Sequence, residues 1–79
     1  MVIARGRVVS HDQLHGWNVE VIDDENATGG IYVIYVKPDD PSEALDDWFE
    51  NLGDLQRNLP KMHRIDWHMG GERIILLEP

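Results

Sequence analysis

Cysteine is absent from the 79 residues of this chain. Disulfides, thiolate nucleophiles and cysteine-based metal sites are excluded, and the composition suits a reducing compartment. Long hydrophobic runs are also missing. Nothing approaches the roughly 20 apolar residues that span a bilayer. Arg5 and Arg7 break up the N-terminal MVIARGRVVS before it reaches the apolar length of a signal peptide. A cytoplasmic protein is the expectation. Basic residues are scarce: seven Lys and Arg stand against fifteen Asp and Glu, for a net charge of −8. This argues against direct nucleic-acid binding, where Lys and Arg on phosphates supply most of the affinity. Anionic membrane surfaces are disfavoured on the same ground. A basic protein is the partner this charge would attract, through faster and salt-sensitive encounter.

What is present fits one small domain. A chain this short buries only about 60% of its unfolded surface, so its apolar residues must be placed economically. Val2–Val9 reads as a β-branched strand, and Trp17–Val21 alternates at the period of a half-buried strand. Ile31–Val36 is continuously apolar and aromatic, as expected of a central strand covered on both faces. Asp40 then resembles a helix N-cap, with Pro41 at N1 and Glu43 at N3. An amphipathic helix is expected from Asp40 to Leu59, ended by Pro60. Gly53 weakens that helix, since glycine costs about 1 kcal/mol relative to alanine. A break near Asn51, with the preceding residues forming a strand, is the competing reading. Ile65, Trp67 and Met69 alternate with polar residues in a further strand. Gly70-Gly71 suggests a hairpin turn, with a returning strand over Glu72–Leu77. The expected order is βββαββ: an α+β two-layer sandwich with an antiparallel or mixed sheet and one helix across one face.

On that helix, Leu45, Trp48, Phe49, Leu52, Leu55 and Leu59 share one side at about 100° per residue. Glu43, Asp46, Asp47, Glu50 and Asp54 share the other. An ordinary solvent face alternates charge, because opposite charges at i,i+4 stabilise a helix. Here like charges meet at 43/47, 46/50 and 50/54 with no Lys between them. Such a stripe is either a solvated face of biased composition or an electrostatic docking surface for a basic protein. Trp48 and Phe49 are expected in the core. Trp17 and Trp67 become partner-binding candidates if either lies on a sheet face left open, since Trp is enriched at interface hot spots.

Other constellations are weaker. His11 and His15 lie four apart, but in an expected loop, and a zinc site needs three or four converging ligands. Joining them to His63 and His68 would require the first loop to meet the fourth strand. Ser10 has only its neighbour His11 as a base, and adjacent strand residues point to opposite faces. The carboxylates are expected on exposed elements, where nothing shifts their pKa for acid–base work. Neither a catalytic residue nor a resident metal or cofactor is expected. In being short, acidic, cysteine-free and single-domain, the chain is similar to small inhibitors: immunity proteins that neutralise nuclease toxins, and phage-encoded anti-CRISPR proteins that mimic the charge of DNA. This likeness of size and composition implies an acidic surface filling a basic site, anchored by one or two aromatics. The leading expectation is thus a non-enzymatic protein-binding inhibitor. The alternatives are a structural module, forming a homodimer through a sheet edge such as Ile74–Leu77 or an open sheet face, and a small histidine-based metal-binding protein.

Overall fold

Period-two patterning becomes strand throughout the N-terminal half. In the computed structural model, which describes residues 1–24, 26–27 and 29–75, β1 (Val2–Val8), β2 (Asn18–Asp24), β3 (Gly30–Lys37) and β4 (Asp40–Phe49) form an antiparallel meander. The helix α1 (Leu52–Met62) then crosses one face and delivers β5 (Ile65–Met69) to the far side of β1, again antiparallel. The order across the sheet is β4-β3-β2-β1-β5. This is the expected α+β domain, a five-stranded antiparallel sheet with one helix on one face. The chain order, however, is ββββαβ.

The core lies between that face and α1. Val8, Val19, Val21, Ile31, Val33, Tyr35 and Phe49 point inward from the strands, and Leu55 and Leu59 descend from the helix to meet them. Leu55 and Leu59 are almost fully buried, which stabilises the fold by roughly 1.5–3 kcal/mol each. Leu14, Trp17, Leu52, Ile65 and Trp67 pack against the margins of this cluster.

Residues 40–49 are strand and not helix, and the reason is long-range. β3 is too apolar to be left as an edge, where its free backbone groups would template pairing with another chain. Pairing with β4 covers it: Ile31 faces Phe49, Val33 faces Asp47 and Tyr35 faces Leu45. In a helix, the five acids would repel one another along one stripe. In the strand, successive side chains alternate between faces and the charges are spread. Pro41 marks no helix start. Between the Lys37–Asp40 and Val36–Ala44 pairs, residues 41–43 are extra on β4, and a bulge in an edge strand tolerates the missing N–H.

The helix begins one break later, at Asn51. Its side chain accepts a hydrogen bond from the Asp54 N–H at 2.8 Å, and Asp54 reaches back towards the Glu50 N–H at 3.4 Å. Asn51 is thus the N-cap, and the Asp54 carboxylate reaches one residue further back than in a capping box, to the residue before the cap. Gly53 is thereby in the first turn, where it interrupts nothing. Pro60 does not end the helix, which runs on to Met62. Pro60 is exposed in the last turn, and closure comes from the His63 N–H bonding to the Leu59 carbonyl at 3.1 Å.

The expected hairpin at Gly70-Gly71 is also replaced. Gly70 adopts a left-handed φ of 72° and leads into a single 3-10 turn, Gly71–Arg73. Ile74 is then buried in the core. The returning strand expected over Glu72–Leu77 is therefore not formed at its start, and its residues 76 and 77 lie outside the described residues.

One position tests the β1–β5 contact directly. A Cβ added at Gly6 would lie 2.6 Å from the Asp66 carbonyl oxygen and 2.9 Å from Ile65 Cγ2. The carbonyl oxygen cannot move without moving the backbone of β5. Gly6→Ala is expected to destabilise the fold by about 1–3 kcal/mol, as overpacking does. A lowered urea midpoint at unchanged slope would register it; a wild-type midpoint would refute it.

Candidate functional site

Only one face of the sheet is covered by the helix. On the other, cross-strand pairing sorts the side chains into two halves. Towards β5 the surface is polar: Arg5 pairs with Glu20, Arg7 with Asp66, and Asn18 lies beside Arg7. The Arg5 Nε donates to Glu20 Oε2 at 2.8 Å. Towards β4 the surface is apolar. Ile22, Tyr32 and Trp48 form one row across three strands, Ile34 lies in the next, and Val36 and Ala44 close the patch. Trp48 is the most prominent member, 49% exposed. Its indole packs flat against Gly30, where an added Cβ would collide with the ring. A large aromatic leaning over a strand glycine supplies the packing that glycine lacks.

Beside this patch runs the outer edge of the sheet. Asp40, Glu43 and Asp46 of β4 are exposed, as is Glu50 just beyond it. From Asp39 to Asp54 no Lys, Arg or His intervenes. The five acids expected to form one helical stripe do not share a face. Glu43, Asp46 and Glu50 remain solvent-facing along the edge. Asp47 turns inward and accepts the Tyr35 hydroxyl hydrogen at 2.8 Å. Asp54 lies in the first turn of α1, where its carboxylate accepts from the Glu50 N–H at 3.4 Å and from Asn58 Nδ2 at 2.8 Å.

The tryptophans exchange the roles expected of them. Trp17 and Trp67 are half-buried against the core, so neither lies on the open face. Trp48, expected inside, is the one displayed there. The signal that identifies it is the period-two reading of residues 44–49, in which Asp46 and Trp48 face one way and Asp47 and Phe49 the other.

A second cluster of polar groups joins distant parts of the chain. The Asp12 carboxylate accepts from Ser10 Oγ at 2.6 Å, from the Leu14 N–H at 2.9 Å and from His63 Nδ1 at 2.9 Å. Ser10 Oγ in turn accepts from the Arg64 N–H at 3.1 Å. The His63 ring meets Tyr35 edge-on, with centroids 5.2 Å apart. The hydrogen bonds from Ser10 and His63 hold Asp12 down to a pKa of about 2. Tyr35 is pushed well above the ordinary phenol range by burial, and by donating to the Asp47 carboxylate. The serine thus faces a carboxylate of very low basicity and no imidazole that could carry its proton away. This geometry suits an anchor for the Ser10–Gly16 loop at the end of α1 and does not suit nucleophilic attack.

The four histidines are dispersed. His11 and His15 stack in the loop with centroids 5.2 Å apart, and His15 Nδ1 bonds to the Ser10 carbonyl oxygen at 2.9 Å. His63 joins Asp12, while His68 lies 3.7 Å from Asp66 on β5. Among the described residues no three His, Asp or Glu side chains are grouped to hold a metal ion. No described helix is long and apolar enough to cross a membrane. No known protein family matches the chain, and no curated protein or solved structure is significantly similar to it.

The Asp12 anchor has a pH signature. A carboxyl group held below its unfolded pKa of about 3.9 stabilises the fold above that value, and the contribution is lost as pH falls towards 2. Asp12→Asn lacks it throughout. The urea-midpoint difference between wild type and Asp12→Asn is expected to be full at pH 5–7 and to narrow between pH 4 and about 2. A difference that stays constant over that interval would contradict the assignment.

Proposed function

We propose that this protein is a non-enzymatic binding module that engages a basic protein through the outer edge of its sheet. Asp40, Glu43, Asp46 and Glu50 supply the charge, and Trp48 supplies the apolar anchor. The observation that carries this reading is their adjacency: an acidic edge, whose one ion pair among the described residues is the exposed Lys37–Glu43 contact at 3.5 Å, borders a half-exposed tryptophan in an apolar patch. Trp in such a setting is the residue type most enriched among interface hot spots. Long-range attraction from the acids would speed encounter with a basic surface, while contact with Trp48, Tyr32 and Ile34 would hold the complex. A surface of this kind could occupy a site evolved for phosphate, and so inhibit a nucleic-acid-binding protein without itself touching nucleic acid. Inhibitors of the immunity-protein or anti-CRISPR kind work by that principle, and a cytoplasmic location suits it.

A second reading is self-association through the open sheet face, favoured by the half-buried Tyr32, Ile34 and Val36 on it. Edge-to-edge pairing of two β4 strands is opposed by the like charges on that edge.

A pull-down from host lysate, repeated with Glu43→Lys/Asp46→Lys/Glu50→Lys and with Trp48→Ala, separates the two. The expected result is one basic protein retained at low salt and lost at high salt. It should be lost equally in the triple variant, and weakened by about 2 kcal/mol or more in Trp48→Ala. All four side chains are exposed, so the circular dichroism of both variants should match wild type. A partner retained by the triple variant at any salt would overturn the acidic-edge reading. Dimerisation that rises with concentration and is lost in Trp48→Ala would establish the second.

A further inference from the structure

A concavity lies at the β5 side of the molecule, across the sheet from the β4 edge, beside the C-terminal half of α1. There a cleft of about 690 Å³ opens between the helix, β5 and residues 74–75. Its apolar lining includes Leu59, Ile65, Trp67 and Ile74; Arg57, Lys61 and Arg64 line it as cations, and His63, held by Asp12, lies at its margin. No carboxylate lines it among the described residues. In a chain of net charge −8 with only seven Lys and Arg, three of the seven surround this one cleft. None of the three is ion-paired among the described residues. Lys61 in the last turn of α1 is accounted for by the negative end of the helix. That field falls off within the turn, so it does not explain three unpaired cations along one apolar cleft.

We propose that this cleft is a binding site for a small amphiphilic carboxylate. The branched aliphatic side chains and the Trp67 ring take the hydrocarbon tail. Lys61 and Arg64 take the carboxylate at the mouth, where a charge-assisted hydrogen bond is strongest for the guanidinium group. The volume is that of a small-molecule site. A bare phosphate would find the charge but no partner for the apolar floor, and a neutral lipid would find the floor but leave the cations unanswered. The site uses none of the residues assigned to protein docking, so either proposal can fail alone.

Titration of the isotopically labelled 79-residue chain by two-dimensional amide NMR tests it, with octanoate, octanamide and inorganic phosphate as probes. Octanoate is expected to produce saturable shifts at the Trp67 indole N–H and at the Leu59 and Ile74 amides. Binding should weaken at least tenfold for octanamide and for Lys61→Gln/Arg64→Gln, and phosphate alone should not saturate. The same spectra report whether the variant remains folded; if it does not, the single variants Lys61→Gln and Arg64→Gln replace it. No saturable shift with octanoate, equal binding of octanamide, or unchanged binding in the folded charge variants would each overturn the proposal.

Discussion

A run of six apolar and aromatic residues, Ile31–Val36, cannot stand at the edge of a sheet in water without inviting another strand to pair with it. The requirement that β3 be paired on both sides governs the remainder of the fold. β2 satisfies one side through a short meander. The other side takes the next segment of chain, whatever its local preference, and so residues 40–49 become strand. With β4 committed, the helix must begin beyond it, cross the sheet and leave β5 on the far edge. The acidic residues follow from the same constraint. An outer strand that covers an apolar neighbour must itself resist further pairing, and exposed carboxylates accomplish this. On that ground alone they need no partner; it is the exposed Trp48 beside them that suggests one.

Much of this was legible in the sequence. β1, β2, β3 and β5 follow from period-two alternation and β-branched residues, and the two-layer architecture follows from them. The boundary between β4 and α1 did not, because Leu45, Trp48, Phe49 and Leu52 satisfy two periods at once. Read every three or four residues they form a helical face; read every second residue, Asp47 and Phe49 turn inward and Asp46 and Trp48 outward. The capping signals were equally ambiguous. Asp40 with Glu43 and Asn51 with Asp54 share the same spacing, and only the second is used. What decides between them is β3's need for a partner, which local periodicity does not record. The site inherited that ambiguity. Five acids and two tryptophans, Trp17 and Trp67, were recognised as candidates, but a face can be assigned only after the element is known: the helical period sent Trp48 to the core, and alternation alone left the face of Trp67 open.

The Asp12 cluster escaped detection for a different reason. Its members come from the first loop and from the end of α1, far apart in the chain, and no spacing rule connects them. Serine, aspartate and histidine in one cluster suggest chemistry, yet their order decides the outcome. A carboxylate in the middle, accepting from both neighbours, is an anchor. It holds a loop of seven residues against the helix terminus, and through His63 and Tyr35 it continues to Asp47 on β4. The inward turn of Asp47 is thus part of the scaffold, while the outward carboxylates on either side of it are left to the solvent.

The strand order has one more consequence. β1, the first strand of the chain, lies between β2 and β5, so its second partner is the last strand described. Until Ile65–Met69 arrives, β1 is an edge and the groove over Gly6 is unfilled. The three hairpins can form early because their contacts are local, but β1–β5 closure requires a loop nearly as long as the described chain, with the entropy that entails. Folding should therefore be governed by a late zippering step whose rate reflects chain topology more than stability. On a ribosome, the nascent protein would emerge as an incomplete four-stranded sheet, finished only when its fifth strand clears the exit.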